Sequence, residues 1–317
     1  MGYNTRMNDS MPFAGIASFF KAPYVAEPTK ADGDVAVLGI PYDEGTTSRP
    51  GARYGPRAMR DISTFWAYRD GEEPFYDGEA RTELLGGVRF IDAGDVDLAP
   101  TAPAERNHPL IAARVKQLLD AGLFPIVLGG DHSITYAVLR GFAAARAGRP
   151  LHLVQFDTHM DYWNDEGGMT TTHASPIIRS HEDGFVTKVT QYGIRGLHTA
   201  ADNIALARER GVRTFWCEHA KKTPVDELVA HLAPGDDVYI SFDIDALDPS
   251  VAPGTGTPEP GGFTYYEAKA IVRAVAQRAN VVGMDMVEVD PLYDPVQITA
   301  LHAVRLIFDT VGAALSR

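Results

Sequence analysis

Short apolar runs bounded by Gly, Pro and Asp recur along the whole chain, and helical patterns lie between most of them. A chain written this way is committed to strands alternating with helices, the signature of an α/β fold. The runs predict strands over residues 34–41, 88–96, 124–132, 151–159, 186–196, 212–218, 237–245 and 281–289. Several are apolar on both faces. FPIVLGG and DVYISFDID show little alternation and many β-branched residues, which predicts parallel strands buried between two layers of helices. The expected fold is therefore a three-layer α/β/α sandwich around a mostly parallel sheet of about eight strands.

Helices are predicted where caps and period agree. Residues 108–119 put Ile111, Ala112, Val115, Leu118 and Leu119 on one face, with Gly122 as a stop. Thr223 before Pro224 predicts an N-cap followed by Pro at the first helical position. Thr264 and Glu267 have the spacing of a capping box. Residues 298–315 carry one stripe through Leu301, Val304, Phe308, Val311 and Leu315, which predicts a core-packing helix. The Pro- and Gly-rich segment 251–262 directly follows an acidic strand end and is expected to shape a site. No linker or fixed-period repeat interrupts the chain, so residues 1–317 are expected to form one domain. Residues 1–33 should then pack as an extension on it or on a neighbouring subunit.

Lys and Arg number 29 against 42 Asp and Glu, a formal charge of −13. That balance argues against nucleic acid or anionic lipid as a partner and favours small cations. The single cysteine, Cys217, forms no intrachain disulfide. No run approaches the roughly 18 apolar residues of a membrane span, and the first residues lack a secretory pattern, so a cytoplasmic protein without membrane contact is expected.

In open parallel sheets ligands bind beyond the carboxyl ends of the strands. Three predicted strands end in metal-ligand side chains: Asp131-His132-Ser133, Asp157-Thr158-His159-Met160-Asp161 and Asp243-Ile244-Asp245. With the chain extended, period two would turn Asp157, His159 and Asp161 to one side, and likewise Asp243 and Asp245. A lone Asp at a strand end is most often a cap; three such ends on separate buried strands point instead to a shared centre. With His132, six carboxylate and imidazole ligands suit two ions of the Mn, Fe, Co, Ni or Zn type. Four carboxylates balance two divalent ions, and a hydroxide between them leaves a charge of about −1, or about −2 with Glu288 counted. Such a centre favours a cation, and a carboxylate matches a planar guanidinium through paired hydrogen bonds.

The combination resembles the ureohydrolase family, the arginase and agmatinase group that hydrolyses guanidino compounds to urea. The resemblance runs through Gly39-Ile-Pro-Tyr-Asp43, Arg49-Pro-Gly-Ala-Arg-Tyr-Gly-Pro-Arg57, Gly129-Gly-Asp-His-Ser133, Phe156-Asp-Thr-His-Met-Asp161, Ser241-Phe-Asp-Ile-Asp-Ala-Leu-Asp-Pro249 and Glu288-Val-Asp-Pro291. It implies an arginase-like sandwich and an agmatinase-like amidinohydrolase. One divalent ion would be held by His132, Asp157, Asp161 and Asp243, a second by Asp157, His159, Asp243 and Asp245. The resemblance also implies that His173 moves a proton near the leaving amine and that Glu288 orients the guanidinium. Asp131 is a further catalytic-site candidate, expected to bond backbone rather than metal.

Manganese is the family default and nickel the alternative, since the ligand set does not separate them. Symmetric homo-oligomers, trimers or hexamers, are implied, with a heteromer left open. The residues after Asp161 depart from arginases, which carry small polar groups there, so arginine is a poor substrate expectation. Tyr162 and Trp163 are candidate pocket residues, able to narrow the site or stack on a planar cation, while Asp165 and Glu166 could draw a distant amine. Agmatine is the default substrate, with 4-guanidinobutyrate, guanidine or a biguanide as rivals. A metallophosphoesterase would need an Asn-His pair later in the chain than its Asp-x-His, a zinc deacetylase a paired-histidine motif, and a dinucleotide enzyme a G-x-G-x-x-G; none is found. A non-catalytic partner subunit is disfavoured by the full ligand set.

Overall fold

Every predicted strand forms, and all eight join one sheet. The computed structural model describes residues 11–68, 73–165 and 167–315. Its strands are β1 (Val35–Gly39), β2 (Phe75–Asp77), β3 (Thr82–Leu84), β4 (Phe90–Asp95), β5 (Phe124–Leu128), β6 (Leu151–Phe156), β7 (Val186–Ile194), β8 (Arg213–Trp216), β9 (Asp237–Asp243) and β10 (Asn280–Val287). The main sheet runs β4-β1-β5-β10-β9-β6-β7-β8. Every pairing in it is parallel. The short antiparallel hairpin β2-β3 was not foreseen from the sequence; its Asp77 is tied to Lys269 and Arg273.

The helices are α1 (Gly55–Ser63), α2 (Ala104–Asp120), α3 (Ile134–Ala145), α4 (Pro176–Glu182), α5 (Ala201–Glu209), α6 (Cys217–Ala220), α7 (Val225–Val229), α8 (Tyr265–Arg278) and α9 (Ile298–Leu315). In the central strands residues alternate between two cores, which is why both of their faces are apolar. Val35 and Val37 of β1 join the core that holds Met59 of α1, Val272 of α8 and Phe308 of α9. Ala36 and Leu38 join the core of Ile111 on α2, Val138 on α3 and Ile177 on α4.

Local signals held with one exception. The Thr264–Glu267 capping box is formed in both directions. Thr223 does not cap α7: Pro224 takes that position, because the Thr223 hydroxyl donates back to the His219 carbonyl at 2.9 Å. The expectation that no segment is long and apolar enough to span a membrane also needs correcting. By length and composition α9 qualifies, and it does so because it is a core helix, with Val304, Ile307, Phe308 and Val311 fully enclosed. In the extension, Phe19 and Phe20 lie 5.9 and 5.2 Å from the Phe308 ring, and the Phe19 amide donates to Asp92. Burying each such phenyl contributes about 1.5–3 kcal/mol, enough to hold the segment on its own domain. Residues 1–10 of that extension lie outside the described residues.

The strand order decides where chemistry can sit. β5, β10, β9 and β6 are adjacent at the centre of the sheet, so the loops leaving their carboxyl ends share one crevice.

Candidate active site

Two glycines carry the chain from β5 into the crevice. A Cβ on Gly130 would sit 2.3 Å from the Tyr42 carbonyl oxygen and 2.7 Å from that of Ile40, so only glycine lets this turn pack against the segment after β1. Asp131 and His132 follow. β6 stops at Phe156, and the expectation that its ligands share one side of an extended chain is corrected here. Asp157 instead accepts the backbone N–H of His159 at 2.5 Å, and Asp161 takes a left-handed backbone with φ 49°. After β9, Asp243 caps a 3-10 turn by accepting the Asp245 N–H at 2.8 Å. Short carboxylates reach backbone two residues ahead, so the acids fold their own loops into turns, and the turns bring the ligands together.

The six predicted ligands converge. His132 Nδ1 lies 2.7 Å from Asp161 Oδ2, 3.0 Å from Asp157 Oδ2 and 3.3 Å from Asp243 Oδ2. His159 Nδ1 lies 3.2 Å from Asp245 Oδ2 and 3.5 Å from Asp157 Oδ1. Two groups can each surround an ion, His132 with Asp157 and Asp243, and His159 with Asp157 and Asp245; Asp157 belongs to both.

Electrostatics state what this cluster lacks. Burial, then the neighbouring Asp157, pushes Asp161 up to about 7. Burial with Asp245 and Asp157 nearby raises Asp243 well above its usual range. Burial disfavours the charged imidazoles, yet Asp161 beside His132 and Asp245 beside His159 push both upward. His132 Nδ1 is buried and has no hydrogen-bond partner. A lone pair aimed at three enclosed carboxylates is a costly arrangement unless a cation stands between them. The residues therefore fit a pair of divalent ions, and the oxygen and imidazole donor set suits the first-row transition metals.

A cavity of about 120 Å³ opens over the cluster, with His159, Asp161 and Asp243 at its floor and His173, Thr47 and Trp163 around it. The His173 backbone N–H donates to the Gly45 carbonyl at 2.9 Å. Its Nδ1 lies 3.1 Å from Glu288 Oε1 and its Nε2 lies 2.8 Å from Thr47 Oγ1. Burial alone would lower His173, but the hydrogen bond and charge of Glu288 raise it to about 9. Glu288 is itself left-handed, φ 61°, a strained backbone of the kind that clusters at functional sites. Its Oε1 also accepts the His132 N–H at 2.8 Å. Burial works against its ionisation, and the bonds from His173 and His132 hold it low.

Asp131 stays out of the cavity and accepts the Gly45 N–H at 2.7 Å and the Ser133 N–H at 2.8 Å. It ties down the loop that presents Thr47, while burial and then Glu288 push its own carboxyl up to about 7. Trp163, 36% exposed, lines the mouth. Tyr162 does not: its ring is fully enclosed and its hydroxyl meets His181 Nδ1 at 2.8 Å. Asp165 accepts the Gly168 N–H, and Glu166 lies outside the described residues. The segment 251–262 does shape the site, since Arg49 donates to the Thr255 and Gly256 carbonyls at 2.8 and 2.9 Å and Thr257 lines the cavity.

Sequence reading missed Thr47, Thr257 and His198, which also line the cavity. Thr47 sits between two of the motifs quoted above, and His198 follows a predicted strand end by two residues, a signal that strand-end reasoning could have used.

Comparison with known proteins agrees with this geometry. Residues 33–312 match the Arginase family. A guanidinopropionase of Pseudomonas aeruginosa is 35% identical over 306 residues, covering 94% of this chain and 91% of the relative. An agmatinase of Chromobacterium violaceum is 36% identical over 306 residues, covering 94% and 88%. The solved structure of proclavaminate amidino hydrolase from Streptomyces clavuligerus superposes with a TM-score of 0.84 at 32% identity, covering 96% of this chain and 99% of that one. Six acid and imidazole side chains gathered at the ends of three parallel strands, together with a family match over nearly the whole length, have one consequence: the chain belongs to the arginase family of ureohydrolases.

Proposed function

We propose that this chain is a dinuclear metal amidinohydrolase that cleaves a guanidino C–N bond with water, releasing urea and an amine. The observation that carries the reading is the orphaned, buried Nδ1 of His132 facing three carboxylates, one of which is shared with a second group. His132, Asp157, Asp161 and Asp243 would hold one ion, and Asp157, His159, Asp243 and Asp245 the other. Manganese is the default and nickel the alternative.

When bound, the two ions supply a water acidified to a pKa of about 7 and positive charge for the reacting centre. Orientation comes from the protein. All hydrogen bonds described for Glu288 use Oε1, which leaves Oε2 for a guanidinium N–H. His173, held up to about 9 by Glu288, enters the reaction protonated at neutral pH and gives its Nε2 proton to the departing nitrogen. Thr47 suits both states of that ring: its Oγ1 accepts from Nε2–H before transfer, and its backbone N–H, 3.2 Å from Nε2, can donate afterwards. Asp131 holds the loop that carries Thr47.

Among the described residues that line the cavity there is no Lys or Arg. A carboxylate tail would find no guanidinium or ammonium group there, and His173 is already engaged by Glu288 and Thr47, so the lining favours a guanidino compound with a neutral or cationic tail: agmatine first, then guanidine or a biguanide. The guanidino-acid reading is supported by relatives named guanidinopropionase and guanidinobutyrase. For assembly we keep a homo-oligomer, a trimer or hexamer, as the family resemblance implies.

The deciding experiment is urea release from agmatine, guanidinobutyrate, arginine, guanidine and biguanides by enzyme loaded separately with manganese and nickel. Turnover of agmatine or a small guanidine above guanidinobutyrate is expected. Preference for guanidinobutyrate would overturn the argument from the lining, and no urea from any substrate with either metal would overturn the function.

A further inference from the structure

Beneath the cluster lies a carboxylate that the reaction above does not use. Asp285 on β10 is fully enclosed. Its Oδ1 accepts the Ser241 hydroxyl at 2.7 Å, and its Oδ2 accepts those of Thr135 and Tyr239, each at 2.9 Å. Ser241 Oγ also lies 2.8 Å from His132 Nε2.

Counting protons assigns the ring. A serine hydroxyl has one proton to give, and here it points at Asp285. Toward His132 the same oxygen can only accept, so Nε2 must carry a hydrogen. An imidazole that binds metal is neutral and has one N–H, so with Nε2 protonated the lone pair falls on Nδ1, the atom facing Asp157, Asp161 and Asp243. We propose that Asp285, acting through Ser241, is a positioning residue that holds His132 in the Nε2–H tautomer and so readies one of the two ion positions, the one at His132, for metal. The proposal rests on the dinuclear reading above.

The second position has no such support. His159 Nδ1 also faces carboxylates, but among the described residues no hydroxyl-carboxylate relay stands behind its ring, which abuts His198 at 5.9 Å between centroids. The two ions are therefore built to be unequal. Partners that orient a metal-bound imidazole are typically worth about 10–100-fold in metal affinity. That loss should fall on one site.

The test is stepwise metal binding by the full chain, followed by titration calorimetry with manganese and by metal content per chain after dialysis at graded free metal. Ser241→Ala and Asp285→Asn should each weaken one of two binding steps by about 10–100-fold and leave the other at its wild-type value. Tyr239→Phe removes a bond to the same carboxylate on its other oxygen and should leave both steps unchanged; it separates the relay from general loosening of the core. If Asp285→Asn does not fold, Ser241→Ala decides alone, since it deletes one hydroxyl. The proposal is overturned if folded Ser241→Ala binds both ions as wild type does, if both steps weaken equally, or if Tyr239→Phe weakens binding as much. Absence of two binding steps in the unmutated chain would overturn the dinuclear reading itself, and the relay with it.

Discussion

Replacing Gly130 by alanine tests whether the crevice is held by backbone packing. The new Cβ would meet two backbone carbonyl oxygens, Tyr42 at 2.3 Å and Ile40 at 2.7 Å, neither of which can swing away as a side chain would. Ordinary contact needs about 3.4 Å, so the segment after β1 and the end of β5 must part by about 1 Å. That movement stretches the Asp131 N–H bond to Tyr42, now 2.7 Å, and the Gly130 N–H bond to Ile40, now 3.1 Å. Two weakened bonds at about 1 kcal/mol each, with an overpacking strain of about 1–3 kcal/mol, give a loss of about 3–5 kcal/mol. For a chain of 317 residues the unfolding entropy is about 0.7 kcal/mol per degree, so the melting midpoint should fall by about 4–7 °C. Activity should suffer more. Asp131, His132 and the Glu288 N–H, which donates to the Gly130 carbonyl at 2.8 Å, all move with this turn, and a misplacement of about 1 Å can cost about a hundredfold in rate. The assay pairs thermal melting with urea release well below the midpoint, and Gly235→Ala serves as control because a Cβ there meets nothing within 4 Å. A Gly130→Ala enzyme that melts and turns over like the control refutes the reasoning.

Other expectations follow from the same geometry. Asp243→Asn should lose metal and turnover together; metal analysis finding two ions per chain in an active variant would remove Asp243 from the ligand set. His173→Asn should keep both ions and slow kcat by about a hundredfold, and an unchanged kcat would exclude it as proton donor. Trp163→Ala should leave metal content unchanged while improving KM for bulkier guanidines relative to guanidine, read from the substrate panel; an unaltered ranking would place the indole outside the specificity pocket. His108, whose pKa is lowered to about 4 mainly by burial, is neutral in the folded chain, whereas its unfolded form takes up a proton near 6.5. The unfolded state thus binds the extra proton, so stability is lost as pH falls from about 6.5 to about 4, by at most about 3 kcal/mol. Denaturant midpoints for His108→Leu should show a correspondingly flatter fall over that window, and parallel curves for the two proteins would contradict the assignment.

Much of this protein could be read residue by residue. Several two-sided apolar runs required a buried parallel sheet, because no other arrangement covers both faces of a strand such as β9. Acids and imidazoles directly after three of those runs marked the chemistry, since that edge is where side chains leave the packed layers. The chain could not declare which strands are neighbours. The order β5-β10-β9-β6 depends on long-range packing, and it alone brings residues as far apart as His132 and Glu288 within one hydrogen bond. Nor could periodicity show how the ligands meet. Extended geometry was the natural expectation for Asp157, His159 and Asp161, whereas a left-handed Asp161 and self-capping carboxylates turn the loop instead. Adjacent residues were separated in the same way. Tyr162 and Trp163 look interchangeable in sequence, yet one packs inward on His181 and the other reaches the cavity, a choice made by loop direction. Composition and local pattern determine which groups are present and which layer they occupy; their mutual distances and proton positions are set by contacts between segments far apart in the chain, and these exist only once the sheet has assembled.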